Sequence, residues 1–334
     1  MKPGHFTKYK YLLVFIAGLS LPLFSGAQQQ LVASAMPDSA ATLKLPRVTA
    51  PPKGRAEKQK LMNLLKELNV PEVDYNEPAD QQWGKLAGFF TKLRLYPLAM
   101  KCFLKTLTPD SLALADIPIT DRDGQSISAQ LKSITLEAKP VKSEVIKVSH
   151  ILETFNDGKQ PMAYAMILHV KQPVRGKAKV HKLINTGHTF ITLIKFNTDS
   201  SYTALTFGFG PHKDNLLSAT PLVPSTSSKF TDDGGHEWDE VVGKFISRRR
   251  FQKILQLTKQ YEGQSYNLSK NNCTDFGLKA AQLAGLEIRD TKGSWLLGSG
   301  NNPGITGQSI LLGKFNNEDT GSLDRLFIDT TRNK

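Results

Sequence analysis

Apolar residues recur every three or four positions between residues 56 and about 107, and beyond 110 that rhythm gives way to short, dense apolar runs. Leu61, Leu64, Leu65 and Leu68 share one face of a predicted helix, which the breaker "NVPEVDYNEP" ends. A second helical block is predicted from about 79 to 107. After 110 the runs "SEVIKVSHIL", "YAMILHVKQ", "HTFITLIKF", "SYTALTFGF" and "WDEVVGKFI" are rich in β-branched and aromatic residues and separated by Gly, Pro, Asn and Asp, which predicts strands. Two helices follow them. The first, near 248–262, carries Phe251, Ile254, Leu255, Leu257 and Tyr261 on one stripe, and the second opens at "NNCTDF" with Phe276, Ala280 and Leu283 a turn apart. Strands followed by helices predict an α+β fold, with helices packed on an antiparallel sheet.

The 334 residues, 40% of them hydrophobic, leave room for one large domain or two small ones. Within the second helical block, Trp83, Leu86, Ala87, Phe90, Ala99 and Phe103 place large residues on a first helix and a small one where a second would cross it. This spacing resembles a single tetratricopeptide unit. A lone unit cannot bury its apolar face, so it is expected to pack with the helix at 57–68 or onto the main domain.

The first 27 residues read as a signal peptide: Lys2, Lys8 and Lys10, then the apolar run "YLLVFIAGLSLPLF", then "SGA". The run is too short, at about 14 residues, for the roughly 20 that span a bilayer, so no stable membrane span is expected after its removal. The expected organisation is a signal peptide at 1–27, a flexible linker at 28–55 rich in Ala, Ser and Pro, a helical subdomain at 56–110, and the main α+β domain at 111–334. Export to a bacterial periplasm or beyond follows from the leader. The net charge of +13, reduced by the three leader lysines, favours an anionic surface. Without aromatics interleaved among the basic residues, nucleic acid is not an expected partner.

The chain has two cysteines. Cys102, in "AMKCFL", reads as helix packing. Cys273 stands where two asparagines end and a helix begins. There the helix dipole and free N–H groups favour a thiolate and can stabilise an oxyanion, and Asn271 or Asn272 can cap the helix. Core packing and a disulfide with Cys102 are the alternatives. Of the seven histidines, His188 sits directly after Gly187 at the mouth of a strand, a rigid platform for a general base. Asp275 reads as a helix-start charge. "HEWDE" lacks the second histidine of the zinc-protease pattern, and the Gly-rich stretches lack the lysine of a phosphate loop, so neither a metal nor another cofactor is expected. Trp295, in the long loop 293–307, is a weak candidate for the wall of a substrate groove, and Asn272 a weak substrate contact.

"GHTFITL" at 187–193, a further strand, an intervening helix and then "NNCTDF" at 271–276 resemble the circularly permuted NlpC-type papain-like hydrolases, the group that includes lecithin:retinol acyltransferase-like proteins. The resemblance covers about 145–315. It implies a papain-like domain with Cys273 as nucleophile and His188 as base. The orienting third residue would lie on the following strand, where Thr206 and His212 are the weak candidates. The expected activity is cleavage of an amide in cell-wall peptides through an acyl-enzyme. A lipid esterase or acyltransferase is the enzymatic alternative, and an inactive wall- or partner-binding module the non-catalytic one.

Overall fold

The computed structural model describes residues 52–67, 79–107, 116–136, 143–182, 185–212, 218–220 and 222–330. The expected signal peptide, and the linker up to residue 51, lie outside the described residues. Residues 50–334 form one compact unit. Its helical part comprises α1 (Pro52–Glu67), α2 (Ala79–Lys92), α3 (Tyr96–Leu104) and α4 (Asp121–Leu136). Helix α1 begins inside the stretch read as linker, and α4 lies beyond 110, where only strand and loop were expected. Helix α4 is mostly polar, so its apolar contacts, such as buried Ile127, are too sparse to announce it.

The remainder runs β1 (Val145–Ile146), α5 (Val148–Phe155), β2 (Pro161–Lys171), β3 (His188–Asn197), β4 (Tyr202–Pro211), β5 (Ser225–Thr226), β6 (Ser228–Asp232) and β7 (Glu240–Ile246). Then come α6 (Arg248–Gln260), β8 (Tyr266–Asn267), α7 (Cys273–Ala284), β9 (Leu286–Ile288), β10 (Lys292–Trp295), β11 (Gly298–Asn301), α8 (Pro303–Leu311), β12 (Phe315–Asn317) and β13 (Phe327–Asp329). The fold is α+β, and its seven-stranded sheet, in the order β1-β6-β4-β3-β2-β7-β13, is antiparallel at every pairing. Two sequence expectations need correction. "SEVIKVSHIL" supplies a two-residue strand and then helix α5, and residues 293–307 form a hairpin and a helix instead of a long loop.

Strands β2 and β3 read as nearly continuous apolar runs because both faces of the sheet are covered. On one face Ala165, Phe190, Ile194, Phe196 and Phe245 share a core with α1–α4, including every residue of the tetratricopeptide-like spacing. On the other, Leu168, Ile191, Leu193 and Phe207 pack against α5–α8 through Phe251, Phe276 and Ile310. The helices have legible ends: Ser247 caps α6 by accepting from the Arg250 N–H, and Asn302 caps α8 with Pro303 directly after it. At the far end of α7, Gly285 takes the left-handed conformation (φ 78°), and Arg250 donates to the Ala284 carbonyl.

Cys102 is buried in the core beneath α3, where burial pushes its thiol well up, and both cysteines are free. The disulfide alternative is thereby excluded.

Lys101 of α3 is buried and donates to Asp123 of α4 at 2.8 Å, with its ammonium 5.5 Å from the centre of the Tyr202 ring. Asp123 also accepts from the Thr120 N–H and hydroxyl. A buried charge stripped of its partner typically costs about 3–5 kcal/mol. Asp123→Ala is therefore expected to lower the unfolding free energy by that order, and the double change Lys101→Met/Asp123→Leu to recover most of it; equilibrium urea unfolding checks both.

Candidate active site

Asn272 sets the first turn of α7. Its side-chain oxygen accepts from the N–H groups of Thr274 (2.8 Å) and Asp275 (3.0 Å), while Asp275 accepts from the Asn272 N–H (2.9 Å), a reciprocal capping box. The Asn272 amide nitrogen donates to the carbonyls of Leu268 and Asn301, both at 2.8 Å. All four hydrogen-bonding positions of this side chain are occupied. Asn272 is therefore a structural cap, not the substrate contact proposed from the sequence. Asp275 acts as the helix-start charge expected of it, and also accepts from the Asn301 amide at 2.7 Å.

The cap leaves Cys273 as the first helical residue, its side chain buried at the N-terminus of α7. Helix α7 lies close against the start of β3. A Cβ on Gly277 would stand 2.6 Å from the Thr189 side chain, and the hydroxyls of Thr189 and Thr274 are 3.2 Å apart. This fit brings the Thr189 backbone N–H to the Cys273 sulfur.

His188 opens β3, opposite Lys171 at the end of β2. Gly187 before it adopts φ 78°, and a Cβ there would lie 2.4 Å from the Lys171 carbonyl oxygen, so the chain can enter the strand at this angle only with glycine. Alternation along β3 points Thr189 and Ile191 toward the α7 layer and Phe190 toward the α1–α4 layer, with the His188 ring stacked 5.5 Å from that of Phe190. Cys273 thus meets His188 around the end of the sheet.

The imidazole stands between two groups. Its Nε2 lies 2.9 Å from Asp233 Oδ2, and the Cys273 thiol is close enough for each group to shift the other's titration. Asp233 follows β6 directly and is almost fully buried. Its other oxygen accepts from the hydroxyls of Ser143 and Thr231, each at 3.0 Å, and its N–H donates to the Thr206 carbonyl at 3.0 Å. Space for this carboxylate is left by Gly208 on β4: a Cβ there would sit 2.3 Å from Asp233 Oδ2 and 2.9 Å from His188 Nε2. Asp233 takes the orienting position for which Thr206 and His212 were the sequence candidates. The Thr206 hydroxyl instead continues a buried chain, His169 to Thr192 to Thr206, with both links 2.8 Å, and the His212 backbone pairs with Ser227 and Thr226 at the far end of β4.

The electrostatics follow from these contacts. Burial alone would push the His188 imidazole down; the Asp233 carboxylate, joined by the Cys273 sulfur, overrides it and raises the imidazole to about 10. Burial would push the Cys273 thiol up, but the His188 hydrogen bond and charge, the Thr189 N–H and the Thr274 hydroxyl bring it below its ordinary value. Both shifts run toward a thiolate–imidazolium pair, and the two titrations belong to the pair. Tyr266 stands beside it. Burial, then the neighbouring cysteine, hold its phenol well above the ordinary range. Trp295, the proposed groove wall, lies on β10 with its indole against Gly298 across the hairpin.

No protein-family model, curated protein or solved structure matches this chain. The chemistry is therefore read from the geometry: a buried thiol whose ionisation is favoured by a carboxylate-oriented imidazole has the surroundings that nucleophilic catalysis requires. Among the described residues His188, Asp233 and His236 also form a set of metal-ligand type, with donor atoms within 4.8 Å of one another. Both Asp233 oxygens already accept protein hydrogen bonds, so the contacts are those of an orienting dyad.

Asp233 and Tyr266 were missed by sequence reading. Asp233 follows a five-residue strand that the periodicity did not reveal, and Tyr266 sits on a two-residue strand paired with β5. The only local signal for Asp233 was its place in "KFTDDGG", a turn composition shared with many inert loops.

Because the imidazole is raised and the thiol lowered, Cys273 should alkylate rapidly already below its ordinary thiol range, with the ion pair persisting until His188 loses its proton near 10. Gly208→Ala, which places a methyl group between the imidazole and its carboxylate, is expected to move the acid limb of this profile upward toward the ordinary thiol value of about 8.5. Iodoacetamide kinetics across pH measure it, and an unshifted limb would show that Asp233 does not set the pair.

Proposed function

We propose that this protein is an exported cysteine hydrolase of the papain-like, NlpC-related type that cleaves an amide bond in cell-wall peptides. The observation that carries the reading is the line from Cys273 through His188 to Asp233 at the N-terminus of α7, which supplies nucleophile, base and orienting carboxylate in one connected set. The leader and the basic charge support export and an anionic setting.

In the first half-reaction the Cys273 thiolate attacks the carbonyl carbon. The developing oxyanion is met by the Cys273 N–H and the Tyr266 hydroxyl, the donors already beside the sulfur. His188, as imidazolium, gives its proton to the leaving nitrogen as the C–N bond breaks, leaving a thioester and a free amine. The neutral imidazole then takes a proton from water, whose oxygen attacks the thioester. Collapse of that intermediate releases the carboxylic acid and restores the thiolate–imidazolium pair. Asp233 touches neither substrate nor thiol in this scheme. It holds the ring and stabilises its charged form.

Asp233 also bears on the non-catalytic alternative. A binding module has no use for a buried carboxylate that His188 keeps ionised against burial, and that favours turnover.

Cys273→Ala is expected to abolish release of new amino termini from purified muropeptides. His188→Ala should reduce kcat by roughly 10²–10⁴-fold, the usual worth of a general base, and Asp233→Asn by less, with KM little changed. Mass spectrometry of the products, run in parallel with phospholipid vesicles, distinguishes amide from ester cleavage. Native protein that changes neither substrate overturns the reading.

A further inference from the structure

The hairpin of β10 and β11 carries a feature that neither the fold nor the proposed chemistry uses. Lys292 pairs with Asn301 and Trp295 with Gly298, so the two strands are joined by Leu296 and Leu297 alone. Two-residue hairpin turns favour Asn, Asp and Gly for conformational reasons. Here both positions are leucine, and Leu296 is 95% exposed and Leu297 58%. Leu222, 70% exposed, and Val223 belong to a second loop. Both loops flank the turn that leads into Cys273: the Leu268 N–H donates to the Pro224 carbonyl, and Gly298 and Gly300 lie against Ser269. Among the described residues, four of the seven large exposed hydrophobic side chains therefore border the approach to the thiol. A cluster of this kind on a folded surface marks an interaction site.

The charge around it identifies the partner. The segment 172–182, which follows β2, carries exposed Arg175, Lys177, Lys179 and Lys182 and contains no Asp or Glu. It is built against the base of the hairpin. Asn302 donates to the Val180 carbonyl at 3.0 Å, a Cβ on Gly293 would touch Val180, and Gln172 donates to the Gly304 carbonyl at 3.0 Å. Exposed Lys292 and Lys270 extend the basic rim, and residues 291–307 also contain no acid. Apolar tips ringed by lysine and arginine have the composition of an interfacial membrane contact, in which leucine and tryptophan enter the headgroup boundary while basic side chains meet anionic lipid.

We infer that the Trp295–Leu296–Leu297 hairpin tip and the basic segment 172–182 dock the protein on an anionic lipid surface. The hairpin reaches the site directly, since Asn301 of β11 bonds both Asn272 and Asp275 of the α7 cap. Docking therefore sets the cap of α7, and Cys273 with it, next to the headgroups. That Cys273 is catalytic rests on the hydrolase reading; the docking itself does not.

The test is co-sedimentation of the purified protein with vesicles of phosphatidylcholine alone and of an equimolar mixture with phosphatidylglycerol. Trp83 and Trp238 are buried, so an emission shift on binding reports Trp295. Binding is expected on the mixed vesicles, with a blue shift. Leu296→Asp/Leu297→Asp should weaken it by about tenfold or more. Lys177→Glu/Lys179→Glu should weaken it by several-fold in low salt and little in high salt. Each variant's Cys273 alkylation rate, measured without lipid, serves as the folding control. Native-like alkylation with lost binding supports the docking even where no substrate is turned over. Absence of vesicle binding, binding unaffected by the leucine changes, or transfer of the same residue dependence to isolated cell-wall sacculi would overturn it.

Discussion

The bond between the His188 imidazole and the Asp233 carboxylate is the contact on which the site depends. Without it, burial would leave the imidazole neutral and the Cys273 thiol protonated, since both charged forms are disfavoured away from water. With it, the imidazole holds its proton and the sulfur gives one up. The carboxylate keeps its charge under burial because it accepts from Ser143 and Thr231 as well as from His188. The arrangement also requires an absence: the side chain that Gly208 lacks is what makes room for the pair.

The sheet turns these local contacts into a fixed constellation. His188 begins a strand held on both sides by long antiparallel registers, Asp233 directly follows a strand paired to β4, and Cys273 begins a helix pressed against Thr189. Three chain segments far apart in sequence therefore meet at one end of the sheet. The helices of the N-terminal part lie on the face to which His188 and Phe190 point, so they form the wall behind the imidazole, with Tyr96 against His169 and His169 stacked on Phe190 at 4.7 Å. Burial keeps that second histidine neutral, pushing it down to about 3. It contributes packing beside the charged pair without adding a second positive charge.

Docking and chemistry share the cap of α7. Asn301 ties the exposed hairpin to the two residues that define the first turn of the nucleophile's helix, and the loop before His188 is packed on the same hairpin base. The surface that meets a partner and the groups that would react are thus held by one small network of asparagine side chains.

Residue periodicity alone determined the α+β class, strands β2, β3, β4 and β7, helices α6 and α7, and the placement of Cys273 and His188 at element starts. These are local properties: an apolar stripe, a capping asparagine, a glycine before a strand. Helix α4, strand β6 and the β10–β11 hairpin escaped because polar or very short segments owe their form to neighbours distant in the chain. The orienting residue escaped for the same reason. Thr206 and His212 lie on the strand beside His188 and were the natural sequence choices, yet Thr206 is turned to Thr192 and the carboxylate comes from the next strand over. Which side chain reaches an imidazole is set by strand order and by a missing Cβ, and only the tertiary structure decides either.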